Sequence, residues 1–292
     1  MSALSVWVKG ARLRTLPLAI APVVMGAGTA AIDDKFNLGL VVLALLVALF
    51  LQVGVNYAND YSDGIRGTDA NRVGPKRLTG GGLAEPKRVR LAAFICFGLA
   101  GFVGLLITFL TGQYWFVAVG LVCIVAAWFY TGGKKPYGYM GLGELVVFVF
   151  FGLVAVIGTD YIQTGGFSFI AFIAGCISGC FATAVLLINN IRDIETDRAS
   201  NKKTLASRIG KNPALFLFDL LILVPFVLVT IVWVLAPAVF VVNVLVILAI
   251  VILIVANTAK TPKEQILALA LTSYLSLLFA VLFTWGLFTV VF

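Results

Sequence analysis

Residues 38–69 read LGLVVLALLVALFLQVGVNYANDYSDGIRGTD, and the reading of this stretch decides the fold. From 38 to 56 it carries no charge and is almost uniformly apolar. That length suits one membrane crossing, which takes about 20 apolar residues for roughly 30 Å of hydrocarbon. Amides and carboxylates follow at once: Asn56, Asn59, Asp60, Asp63 and Asp69. An apolar rod that ends in acids places those acids at a membrane surface. If the helix continues past 56, Asn56, Asp60 and Asp63 stand at i, i+4 and i+7 and share one face.

The rod recurs along the chain. Of 292 residues 61% are hydrophobic and 12% charged, with a mean hydropathy of +1.08. A soluble domain carries about a quarter charged residues, so an ordinary water-soluble enzyme is excluded, as are disordered and collagen-like chains. Apolar runs between breaks predict nine spans, over 16–32, 38–56, 91–111, 114–130, 144–162, 167–188, 214–235, 238–256 and 266–290. The expected fold is an all-α integral membrane protein, a nine-transmembrane-helix bundle forming one domain over 1–292.

The few charges set the orientation. With the gaps numbered from a cytoplasmic N-terminus, twenty of the 21 Lys and Arg fall on the inner side and only Lys35 on the outer. By the positive-inside rule the N-terminus is cytoplasmic and the C-terminus lies outside. The net charge of +8 then reads as Lys and Arg beside anionic lipid, with no nucleic-acid partner. Cys96, Cys123, Cys176 and Cys180 lie in apolar stretches and read as small hydrophobes. Histidine is absent, which removes the commonest general base and metal ligand.

A second inner loop repeats the acidic device. In Asn189-Asn190-Ile191-Arg192-Asp193-Ile194-Glu195-Thr196-Asp197, the residues Asn189, Asp193 and Asp197 are at i, i+4 and i+8 on one helical stripe. Stacked carboxylates repel unless a cation sits between them. Asp and Asn oxygens without His or Cys suit a hard cation, Mg²⁺ where phosphate is also present. Phosphate-gripping bases flank both clusters: Arg66, Arg72, Lys76 and Arg77 after the first, Arg192, Arg198, Lys202, Lys203 and Arg208 around the second. The pattern points to transfer from a diphosphate whose other half lies in the bilayer.

These residues resemble the UbiA superfamily of intramembrane prenyltransferases, most closely its branch acting on 1,4-dihydroxy-2-naphthoate. The matching segments are Arg12 to Pro17, Asn56 to Asp69, Gly141-Leu142-Gly143-Glu144, Phe150 to Thr159, and Asn189 to Asp197 with Lys203-Thr204-Leu205. They cover about the first 210 residues. The resemblance implies a first Mg²⁺–diphosphate motif of Asn56, Asp60, Asp63 and Asp69, and a second of Asp193 and Asp197 with Asn189 or Asn190. The broad superfamily pattern has its last acid of the first motif where this chain has Gly67; Asp69 is the nearest acid. It further implies a polyprenyl diphosphate donor and an aromatic acceptor, with loss of CO₂ to give demethylmenaquinone, in a bacterial cell membrane with the site facing the cytoplasm.

Asp60, Asp63, Asp193 and Asp197 are the expected catalytic acids, and Arg66, Arg72, Lys76, Arg77, Arg192, Lys202 and Lys203 the expected diphosphate ligands. Arg14, Lys134, Lys135, Tyr137 and Glu144, at inner helix ends, are candidates for holding the acceptor. Rival readings are a UbiA-type enzyme for 4-hydroxybenzoate, homogentisate or chlorophyllide, and a membrane transporter. A transporter calls for acids near the midplane between inverted repeats, and here the paired acids cluster at inner helix ends.

Overall fold

A computed structural model describes residues 3–68 and 74–291, and no strand occurs among them. The helices are α1 (Ala3–Ala11), α2 (Pro17–Ile32), α3 (Leu38–Arg66), α4 (Pro86–Thr111), α5 (Phe116–Phe129) and α6 (Gly143–Thr164). They continue with α7 (Phe169–Arg192), α8 (Ile194–Ala199), α9 (Leu205–Ile209), α10 (Lys211–Trp233), α11 (Pro237–Thr258) and α12 (Pro262–Val291). Local chemistry sets several ends. Asn37 and Ser168 accept backbone N–H bonds as N-caps of α3 and α7, and prolines open α2, α4 and α11. Gly67, at φ 76°, ends α3 in the left-handed conformation that a side chain would resist.

Among the described residues, seven helices are long and apolar enough to cross a membrane: α3, α4, α6, α7, α10, α11 and α12. The two other expected spans are shorter. The N-terminal segment is a helix pair bent by 51° at a break before Pro17, and α5 has 14 residues. At 1.5 Å per residue α5 covers about 21 Å. The protein is a multi-pass membrane protein, and its burial pattern is the reverse of a soluble one. The apolar window of α3 is 11% buried, whereas its polar end, from Asn56 to Asp60 with Ser62 and Asp63, is buried. Large apolar side chains such as Phe102, Phe109 and Ile247 stand exposed, as lipid-facing residues do.

α7 is the central helix, with 78% of its window buried. Small residues let it approach α6. A Cβ at Gly152 would lie 2.5 Å from the Gly175 carbonyl and 2.6 Å from the Gly179 Cα. At this contact α6 widens into a π-helical stretch, Phe148–Val154, and the Ser178 hydroxyl donates to the Phe151 carbonyl (3.1 Å). A large core joins α2, α7 and α10–α12. A smaller one gathers Tyr57 of α3, Val89, Ala93 and Phe97 of α4, and Leu78 of the connecting loop. In the bundle interior the Thr29 hydroxyl donates to Asp160 (2.7 Å), tying α2 to α6.

Because the atoms that confront Gly152 are backbone atoms of α7, no rotamer change can relieve an added methyl. Gly152→Ala is expected to cost about 1–3 kcal/mol, seen as a lowered thermal midpoint in detergent. Gly98→Ala, in a helix interior with no atom within 4 Å, is the control and does not lower the midpoint.

Candidate active site

A cavity of about 910 Å³ lies between the two cores. One end is lined by Asn56, Asp60, Asp63, Arg77, Arg192 and Lys202. From there it follows α3 back through Val55, Leu51 and Ala48, opposite Phe150 and Phe151 of α6 and Val185 of α7. From Ala48 to Asp63 the wall runs about 22 Å along α3 at 1.5 Å per residue. The cavity is charged where the helices end and greasy where they cross the bilayer.

The first acidic cluster lies on one continuous helix, as its spacing predicts. Asp60 is buried and bound from three directions. Arg12 and Arg77 both donate to Oδ1, the latter at 2.7 Å, and the Leu78 backbone N–H donates to Oδ2 (3.1 Å). Asn56 donates to the Ala11 carbonyl (2.9 Å), and Tyr57 to the Trp7 carbonyl (3.0 Å). Arg12 itself adopts a left-handed backbone, φ 55° and ψ 64°, at the bend between α1 and α2. Asp63 accepts the Tyr139 hydroxyl (2.8 Å).

The second cluster differs from the single stripe expected. The helix breaks at Asp193, whose N–H turns to the Asn190 carbonyl three residues back, and α8 restarts at Ile194. The Asp197 N–H still bonds the Asp193 carbonyl (2.8 Å), which keeps the two acids one turn apart. Arg192 grips Asp193 with two bonds, at 2.7 and 2.6 Å, and donates a third to Asn189 (2.9 Å).

Lys202 joins the clusters. Its Nζ is 3.8 Å from Asp63 Oδ2 and 3.8 Å from Asp197 Oδ1, and lies 5.3 Å from the centre of the Tyr139 ring. Burial pushes the Asp197 carboxyl up to about 6; Lys202 pulls it down, the charge of Asp193 raises it, the Thr204 hydroxyl lowers it and Asp63 raises it. Desolvation first, then the charge of Asp63, also raises the Tyr139 phenol, which keeps it a donor at neutral pH.

Other expected site residues lie elsewhere. Arg66 donates to the Thr131 and Gly133 carbonyls and so ties α3 to the 131–139 loop instead of facing the cavity. Lys134, Lys135 and Lys203 are exposed and do not line the cavity; Lys76 and Arg14 line it from exposed positions at its rim. Tyr137 lines it, its hydroxyl donating to the Ala126 carbonyl (2.7 Å). Glu144 is buried behind the wall and accepts from Asn190 (2.9 Å). Asp69 and Arg72 lie outside the described residues. Sequence spacing did not mark Arg12 or Tyr139 as site residues, though Arg12 stands in the matching Arg12–Pro17 segment; neither has a periodic partner in sequence.

The donor set fits a magnesium ion. Every candidate ligand is a carboxylate or amide oxygen, and Mg²⁺ takes one or two carboxylates and completes its shell with water and phosphate. Among the described residues, no three His, Cys, Asp or Glu side chains converge around one point.

The cavity thus has acids and bases at one end and an apolar groove behind them, within a bundle of membrane-length helices. A family model, the UbiA prenyltransferase family, matches residues 19–268, and the chain belongs to that family. It is a polyprenyltransferase. It is 48% identical over 237 residues, 81% of either chain, to a 1,4-dihydroxy-2-naphthoate octaprenyltransferase of Mycobacterium tuberculosis (strain ATCC 25618 / H37Rv). It is 50% identical over 210 residues to the Mycobacterium leprae (strain TN) protein of the same name, covering 72% of this chain and 71% of that one. The fold matches a UbiA homolog from Archaeoglobus fulgidus bound to DMAPP and Mg²⁺, with a TM-score of 0.66, 17% identity and coverage of 98% and 99%.

The raised Asp197 carboxyl has a stability consequence. A carboxyl held above its ordinary 3.8 favours the folded state when protonated, so that contribution is complete below 3.8 and is lost as pH rises through about 6. The thermal midpoint of the wild type should therefore fall across that window relative to Asp197→Asn, which lacks the titration. Parallel profiles for the two proteins would contradict this.

Proposed function

We propose that this protein transfers a polyprenyl group from polyprenyl diphosphate to 1,4-dihydroxy-2-naphthoate, with loss of CO₂, in the pathway to menaquinone. The observation that carries the reading is the cavity, which joins Asp60, Asp63 and the bases Arg77, Arg192 and Lys202 to an apolar groove in one continuous volume; Asp193 and Asp197 lie off its lining, paired with Arg192 and Lys202. The relatives named 1,4-dihydroxy-2-naphthoate octaprenyltransferase support the choice of acceptor.

The donor's diphosphate lies at the charged end, against Arg77, Arg192 and Lys202, with its isoprenoid tail along Leu51 and Phe151. Asp60, Asp63, Asp193 and Asp197, with Asn56 and Asn189, are the residues that would hold Mg²⁺. The metal, when bound, offsets negative charge on the leaving diphosphate. The allylic C–O bond breaks with its electron pair going to the diphosphate, and the basic side chains hold the charge that develops there. Apolar walls keep water from the allylic cation. The electron-rich ring then forms the new C–C bond, and its carboxyl leaves as CO₂. Loss of CO₂ from the ionised carboxylate leaves no net proton to remove, and with no histidine in the chain any proton released in passing goes to a carboxylate, a tyrosine, water or the departing diphosphate. Arg14 and Tyr137 meet the acceptor in this reading, which their position in the cavity lining supports.

We further propose one domain over 1–292 with nine crossings. α2 with its bent partner α1 and the short α5 complete the seven long spans. The basic side faces the cytoplasm of a bacterial cell, with the N-terminus inside and the C-terminus outside.

Purified protein supplied with one polyprenyl diphosphate is expected to prenylate 1,4-dihydroxy-2-naphthoate and to leave 4-hydroxybenzoate and homogentisate unchanged. Asp60→Ala and Asp193→Ala should each lower the rate about a hundredfold or more while the protein still inserts. Full activity of either variant, or in excess EDTA, would refute the metal-assisted mechanism; prenylation of another acceptor instead would refute the substrate.

A further inference from the structure

The ammonium of Lys202 bridges the two acidic clusters by charge. It lies 3.8 Å from Asp63 on α3 and 3.8 Å from Asp197 on α8, and both acids are buried. The Lys202 side chain is only 16% exposed, and its charge faces the Tyr139 ring, whose hydroxyl is bound to Asp63. This lysine also lines the cavity, so it reaches both the acids and the space the diphosphate fills.

The charge balance at this point is telling. As a trio, the two carboxylates and the ammonium between them carry a net charge of −1, and a bare divalent cation entering there would face the ammonium at close range. A diphosphate brings several negative charges to the same spot and gives the ammonium another partner. We infer that Lys202 sets the order of binding: it holds Asp63 and Asp197 together as an internal counter-ion, and it yields them to a divalent cation only when a prenyl diphosphate arrives and takes the ammonium. The lysine is thus a positioning residue for the acids as well as a diphosphate ligand. Delaying the cation in this way keeps the leaving-group machinery incomplete until the donor is seated.

The inference rests on the diphosphate–metal reading above, and binding measured without turnover separates the two. Mn²⁺ serves as the probe, followed by electron paramagnetic resonance on detergent-purified protein, with and without an unreactive prenyl thiodiphosphate. The wild type is expected to bind Mn²⁺ well only with the thiodiphosphate. Lys202→Met should bind Mn²⁺ alone about tenfold more tightly than the wild type, because the competing charge is gone. Lys202→Arg, which keeps the charge, should follow the wild type, and Lys202→Gln should follow Lys202→Met as an independent neutral variant. Equal Mn²⁺ affinity of the wild type and both neutral variants in the absence of thiodiphosphate, with normal ternary binding, overturns the inference alone. No Mn²⁺ binding by any protein under either condition overturns the metal reading and the inference with it.

Discussion

A carboxylate taken out of water into an apolar bundle must find a cation, and Asp60 is where that requirement shapes the molecule. Its side chain is 1% exposed and carries two guanidinium groups and a backbone N–H. Those three donors come from two separate places: Arg12 at the bend before α2, and the adjacent Arg77 and Leu78 of the 74–85 loop. Removing one partner of such a buried pair typically costs about 3–5 kcal/mol, because the other charge is left stranded. The pairing therefore holds α1 against α3, folds the loop back over the helix end, and keeps Arg12 in a left-handed backbone that an arginine rarely adopts. The mouth of the cavity is built from these same pieces.

The same constraint acts at the other cluster with different components. Arg192 neutralises Asp193 from the adjacent position, and the helix break at Asp193 turns α8 so that Asp197 comes to face Asp63 across Lys202. Tyr139 binds the halves from the side, donating to Asp63 while its own carbonyl accepts the Lys203 N–H (3.2 Å). Acids from two helix ends far apart in sequence thus share one charged floor. The apolar walls above it come from helices whose large side chains otherwise face lipid. Binding a charged head and a greasy tail in one cavity follows from placing that floor at the ends of membrane-spanning helices.

Much of this was legible in the chain. The apolar runs marked the long spans, and the spacing of Asn56, Asp60 and Asp63 put them on one face, because α3 does continue as a helix to Arg66. The absence of histidine pointed to oxygen ligands. What escaped reading depends on distant partners. The role of Arg12 arises only when α1 bends back onto α3, and Arg14, two residues on, looks the same in sequence. Arg66 sits beside the acids in sequence but turns to the carbonyls of the 131–133 turn. Asp160, within an apolar run, carried no periodic signal; its partner Thr29 is 131 residues away. The kink at Asp193 and the π-helical stretch of α6 are local adjustments to close packing, and side-chain periodicity does not encode them.

The central claim is that both acidic helix ends serve a single diphosphate. The most direct measurement is an experimental structure of the protein with Mg²⁺ and an unreactive prenyl thiodiphosphate. The account predicts the diphosphate between the ends of α3 and α7, touching Arg77, Arg192 and Lys202, with the prenyl chain running past Leu51 and Phe151. A diphosphate bound by only one of the two clusters, or a prenyl chain lying outside this cavity, would contradict it.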